Sequence, residues 1–251
     1  FCGATSMRIL DMFISRAAER GMLVVLSNDQ FEAKYSIFPP PLWYNTEYTE
    51  TQVVRIWSAL ISRYMNRWNF FAIDLKNEPD LNSATWGNSN RSSDWNRAAE
   101  RMIRNIGVFN GFFFIDGVYY GIDLTEADKY PLETGDAILN SRIVYTPHCY
   151  GIGIIEHDEF GESGFPENLD EIYKKRYGFL TKKGYPVLIG EWGGRYIANS
   201  TGETWNLWFA KWLRTNCLTN NIYWSLDPKS WYTPGLLAND YKTPFKHRLA
   251  Q

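Results

Sequence analysis

Apolar and polar positions alternate in blocks along this chain rather than residue by residue. Ser6 to Arg20 carries apolar side chains at Met7, Leu10, Met12, Phe13, Ile14, Ala17 and Ala18, a helical spacing that Gly21 terminates. Met22 to Leu26 follows as a short all-apolar run, the signature of a strand buried on both faces. The same alternation recurs down the chain. Helical stripes are predicted over about 50–66, 95–108, 169–183 and 204–215, with Thr49 or Thr51 and Asp94 as caps for the first two. Buried strands are predicted over 70–76, 112–116, 142–148, 186–190 and 222–226. Strands that alternate strictly with helices make a parallel sheet, as a doubly wound layer or a (β/α)₈ barrel. The first turn carries no Gly-rich phosphate loop, and Gly151-Ile152-Gly153 lacks a third glycine, so the barrel is favoured. Six βα units are visible, two fewer than a closed barrel needs.

Two of these runs end alike. Phe70 to Lys76 leads into Asn77-Glu78-Pro79, and Pro186 to Gly190 leads into Glu191-Trp192. A carboxylate at the C-terminal end of a buried parallel strand stands where such folds do chemistry. Two of them suit glycoside hydrolysis, whose stereochemistry follows their separation: about 5 Å for retention, about 6.5–9.5 Å for inversion. Asp29 and Asp116, also at strand ends, keep open a metal-assisted proton abstraction, which would need several acidic ligands. His148 and Tyr150, two residues apart in an extended segment, share one side. Trp224 lies near the last strand end. Trp43, Trp86, Trp192 and Trp231 fall in predicted loops, where sugar stacking and loop packing are the two explanations for large rings.

Composition narrows the class. All 251 residues read as one domain, with no linker or low-complexity segment dividing them. A net charge of −2 lacks the basic footprint of a nucleic-acid binder. No apolar run approaches membrane-spanning length. Cys2, Cys149 and Cys217 have no CxxC spacing and permit at most one bridge. Aromatics make up 17% of the chain, enough for a stacking cleft beyond the needs of the core.

Four segments now stand in order: Asp74-Leu75-Lys76-Asn77-Glu78-Pro79, Tyr145-Thr146-Pro147-His148-Cys149-Tyr150, Ile189-Gly190-Glu191-Trp192-Gly193 and Tyr223-Trp224-Ser225-Leu226-Asp227-Pro228. In order and spacing they resemble glycoside hydrolase family 5, most closely its endo-β-1,4-glucanase branch, and the resemblance covers nearly the whole chain. It implies a (β/α)₈ barrel that cleaves β-1,4-glucan with retention, without metal or other cofactor, and a secreted protein. Glu78 would be the acid/base and Glu191 the nucleophile. Asn77 would hold the sugar 2-hydroxyl, His148 would contact substrate, Tyr150 would hydrogen-bond the nucleophile, and Trp224 would lie under the sugar at the cleavage subsite. The competing reading is a non-catalytic glucan-binding relative with an aromatic cleft. Aligned on this resemblance, the chain begins just before the helix leading to the third barrel strand. The first two strands, and an Arg the family places beside its nucleophile, fall outside it. The third strand ends in Ser27-Asn28-Asp29-Gln30, without the family's usual His. A sheet with two open edges and weak turnover are therefore expected, with burial and Asp29 both raising the pKa of Glu191.

Overall fold

A computed structural model describes residues 3–31, 40–80, 82–155, 157–230 and 233–249, with the side chains of residues 247 and 249 excepted. Cys2 and Trp231 lie outside the described residues, as does most of the aromatic stretch 32–39.

The first helix, α1 (Ser6–Ala18), is capped by Thr5, whose hydroxyl accepts from the Arg8 N–H, and the chain reverses at Gly21 with φ +68°. It feeds β1 (Val24–Ser27). Thr49 and Gln52 close a reciprocal capping box on α2 (Glu50–Tyr64), which buries Val53, Trp57 and Ile61. Next come β2 (Phe70–Asp74), α3 (Trp95–Ile106, capped by Asp94) and β3 (Phe112–Ile115). After the short α4 (Ala137–Asn140), the strand predicted over 142–148 appears as two pieces, β4 (Ile143–Tyr145) and β5 (His148–Tyr150). Pro147 has no N–H to give to a ladder, which accounts for the break.

The predicted helix 169–183 runs as α5 (Leu169–Tyr173) and α6 (Phe179–Lys182), joined by a π-helical turn over Lys174–Gly178. Then follow β6 (Ile189–Gly193), α7 (Thr201–Thr215) and β7 (Asn221–Tyr223). The last long helix starts three residues earlier than its apolar stripe suggests, because the Ser200 hydroxyl accepts the Glu203 N–H and nucleates the turn there.

Every strand pairing is parallel. β1, β2, β3 and β4 are neighbours in that order, and β5, β6 and β7 form a second run. The two runs meet across the Pro147 break. Tyr145 receives a hydrogen bond from Leu188 N–H and donates to Pro186, while the Gly190 N–H donates to Pro147, each at 3.0 Å. The result is one curved parallel surface with β1 and β7 at its two ends, the open arc of a (β/α)₈ barrel. Apolar side chains stand exposed at both ends: Met22 and Leu23 just before β1, Ile222 in β7 and Leu226 beyond it. Ala72, Ile73 and Leu75 in and just after β2, and Phe113 and Ile115 of β3, have no exposed surface, so these strands are covered on both faces. Because all strands point the same way, their C-terminal ends gather on one rim, and the predicted site residues lie there.

Candidate active site

Two glutamates reach this rim by different routes. Glu78 follows β2 by four residues and adopts φ +52°, a left-handed conformation that a non-glycine residue holds only when its surroundings fix it. Its N–H donates to Asp116 Oδ2 at 3.1 Å. Glu191 lies inside β6, in register with His148 of β5. The strand predicted over 186–190 therefore begins and ends three residues later than its apolar run, and its carboxylate emerges from the ladder itself.

His148, 2% exposed, stands between the two carboxylates. Its Nδ1 lies 3.0 Å from Glu78 Oε1 and 3.6 Å from Glu191 Oε2. Its Nε2 faces Asp116 Oδ2 at 3.3 Å. Gly121 and Gly190 make room for the ring; a Cβ at Gly121 would stand 2.7 Å from it. The facing oxygens of Glu78 and Glu191 and the His148 Nδ1 all fall within 4.8 Å of one another. The Tyr150 hydroxyl donates a short hydrogen bond to Glu191 Oε2. The two-residue spacing thus brings His148 and Tyr150 to the same pair of glutamates from one three-residue strand.

Charge in this cluster is set by burial and by neighbours. Burial works against a charge on His148, yet Asp116, Glu191 and Glu78 outweigh it and hold the imidazole well above its ordinary pKa. A carboxylate stands at each ring nitrogen, so a doubly protonated His148 would find an acceptor on both sides. Glu191 is pushed up to about 7, first by burial, with His148 pulling it down, Glu78 pushing it up, Tyr150 pulling it down and Asp116 pushing it up. The upward direction is the one anticipated, but Asp29 is not the cause. Asp29 sits instead against the Asn77 side chain, whose Nδ2 donates to it at 3.2 Å.

Beneath the rim lies a second layer. Asp116 accepts from the Thr146 hydroxyl at 2.6 Å, and its burial raises its pKa. Asp74 takes a 2.5 Å hydrogen bond from Ser27 and is raised well above the usual carboxylate range, by burial and then by Asp116. Lys76 is fully buried and lowered by that burial; its ammonium donates to the Asn77 carbonyl. Asp116 and Asp29 therefore do not converge as a metal-binding set. Asp116 serves the site from below, a role the sequence hinted at only through its place after an apolar strand. Thr146, which fixes Asp116, carried no signal of its own.

Of the tryptophans, Trp224 is 44% exposed at the rim, its Nε1 donating to the Ser230 hydroxyl at 3.2 Å. Trp43 packs on Trp95 and donates to Glu50, Trp86 donates to the Tyr130 carbonyl, and Trp192 donates to Asn221 while meeting Tyr223 edge to face. All three are buried, Trp43 and Trp86 in loops and Trp192 within β6 instead of the loop expected for it, so packing explains them. Cys149 and Cys217 are free thiols, the first buried and the second exposed.

Known proteins resemble this chain over most of its length. Residues 2–230 match the cellulase family, glycosyl hydrolase family 5. An endoglucanase from Paenibacillus polymyxa is 33% identical over 96% of this chain and 62% of its own length. The major extracellular endoglucanase of Xanthomonas campestris pv. campestris is 31% identical over 95% of this chain and 51% of its own. The chain thus spans between half and two thirds of these relatives. The solved catalytic domain of the Xanthomonas enzyme superposes with a TM-score of 0.90 at 30% identity, covering 99% of this chain and 74% of that one. The endocellulase from Pyrococcus horikoshii, solved in complex with cellotetraose, gives a TM-score of 0.90 at 28% identity, over 99% of this chain and 73% of that one. On the strength of the match over residues 2–230, this chain belongs to glycosyl hydrolase family 5.

Proposed function

We propose that the chain is the catalytic part of a secreted, retaining endo-β-1,4-glucanase. The observation that carries the reading is the approach of the Glu78 and Glu191 carboxylates, whose facing oxygens lie within 4.8 Å. That approach suits the closer spacing of retaining enzymes, in which the second carboxylate attacks the sugar directly instead of through a water. Glu78, as the acid, gives its proton to the glycosidic oxygen as the bond to the anomeric carbon breaks. Glu191 forms an ester to that carbon from the opposite face. Water then attacks the same carbon, Glu78 takes one of its protons, and the Glu191 ester is released with the original anomeric configuration. His148, donating to Glu78 Oε1, aims the acid. Tyr150 steadies the attacking carboxylate through its hydrogen bond to Oε2.

Asn77 and Trp224 complete the proposed subsite, one as a polar contact to a sugar hydroxyl and the other as an apolar face beneath the ring. The glucan substrate is supported by the relatives, which are endoglucanases, and by the cellotetraose held by the Pyrococcus endocellulase. Among the described residues no helix is long and apolar enough to cross a membrane. Secretion is supported by the extracellular relative. The test is incubation of the folded chain with carboxymethyl cellulose. Viscosity should fall early, with reducing ends appearing more slowly, and Glu191→Gln should stop both. A folded chain that releases no reducing ends from any β-1,4-glucan would leave the glucan-binding alternative in its place.

A further inference from the structure

Burial works against a charge on Glu191, and the His148 ring stands 3.6 Å from its Oε2. That ring is buried, and a buried imidazole is ordinarily driven to its neutral form. What opposes this is the carboxylate at the far side of the ring. Asp116 Oδ2 lies 3.3 Å from Nε2, Asp116 is 1% exposed, and its other oxygen is held at 2.6 Å by Thr146. The same Oδ2 accepts the Glu78 N–H at 3.1 Å. One side chain thereby touches the backbone of the proposed acid and the imidazole that faces both proposed catalytic carboxylates.

We propose that Asp116 is a positioning residue that keeps His148 doubly protonated, so that the imidazolium serves as the positive partner of Glu191. The inference rests on the retaining reading of Glu78 and Glu191 for its consequence, but not for its observable. The charged groups facing His148 are Glu78 from the loop after β2, Asp116 from the end of β3 and Glu191 from β6, with Asp74 and the Lys76 ammonium beyond Asp116 in the layer below. Asp116 stands at one ring nitrogen of His148 and the two glutamates at the other, and all three favour its charged form. His148 in turn acts on Glu191 more strongly than Asp116 does directly. This ordering fixes a sign. Removing the Asp116 charge alone would make Glu191 easier to ionise. If the removal also discharges His148, the larger effect wins and Glu191 becomes harder to ionise.

The test uses the folded chain and two readouts. In imidazole nitrogen NMR, with the three histidines assigned through His157→Gln and His247→Gln, wild-type His148 should remain doubly protonated at pH 7.5. Asp116→Asn should lower its titration midpoint by at least about one unit, tenfold in the protonation equilibrium, while Asp116→Glu keeps it high. In kinetics, the acidic limb of the kcat/KM profile should move to higher pH in Asp116→Asn and stay in place in Asp116→Glu. A neutral His148 in the wild type at pH 7.5 overturns the proposal, and this measurement stands if Asp116→Asn fails to fold or if the chain hydrolyses nothing. A limb that stays in place or moves to lower pH in Asp116→Asn overturns it too, because a merely structural loss lowers the rate at every pH alike.

Discussion

Glu78 and Glu191 follow two apolar runs of the same design, and the structure holds them by opposite means. Glu191 belongs to a ladder: its backbone is fixed by β5 and β7, and one hydroxyl, that of Tyr150, completes its setting. Glu78 has left its strand. Its left-handed backbone is fixed by a side chain thirty-eight positions downstream, Asp116, and its carboxylate by His148. A carboxylate delivered by a ladder keeps its place when its neighbours' side chains change, although its charge still answers to them. One delivered by a hydrogen-bonded network depends on each member, since a buried polar group that loses its partner costs about 1–3 kcal/mol.

Function gives the largest contrast between the two. Glu191→Gln should lower turnover of cellohexaose by about a millionfold, the scale of deleting a nucleophile, and should spare no substrate. Glu78→Gln should cost about 10²–10⁴ on cellohexaose, the usual contribution of a general acid. An activated aryl cellobioside, whose leaving group departs unaided, should lose less in its first step, visible as an early burst of the aryl product. Equal losses of both substrates in Glu78→Gln would erase the distinction between the two roles.

Tyr150→Phe probes the side of Glu191 that is not backbone. It removes a hydrogen bond to a charged group, about 1.5–3 kcal/mol, or roughly ten- to a hundredfold in kcat/KM. The sign in pH follows from the same bond. The hydroxyl holds the Glu191 pKa down, at about 7, against the upward push of burial, so its loss should move the acidic limb of the profile further upward. A profile that only drops in height would show that Tyr150 orients Glu191 without stabilising its charge. The smallest effect is expected at the rim beside β6, where the Trp224 N–H donates to the Trp192 carbonyl. Trp224→Ala should raise KM by about fivefold, equivalent to about 1 kcal/mol of ring stacking, with little change in kcat. A large fall in kcat instead would mean that Trp224 also supports Glu191.

The difference between the two glutamates also marks what the sequence could disclose. Apolar runs located six strand regions, because a strand buried on both faces has to be apolar throughout, but not the division at Pro147 that makes His148–Tyr150 a strand of its own. Helix starts were legible where a side chain caps them, as at Thr49 and Asp94, and shifted by a turn where Ser200 was overlooked. The strand ends placed Glu78, Glu191, His148 and Tyr150 on one rim. Which carboxylate supports which was not legible. The Asp116 contacts join residues thirty or more positions apart, and no local pattern encodes them. Nor could the left-handed turn at Glu78 be read, since that conformation is imposed by the Asp116 hydrogen bond and not by a glycine.

The spacing of the two carboxylates makes one claim above all, that the anomeric configuration survives. Proton NMR of the first reducing ends released from cellohexaose, recorded before mutarotation, tests it directly. The account predicts that the β-anomer appears first and decays toward the α/β equilibrium. An α-anomer that appears first would mean a water acts between the carboxylates, and the direct attack by Glu191 would be refuted.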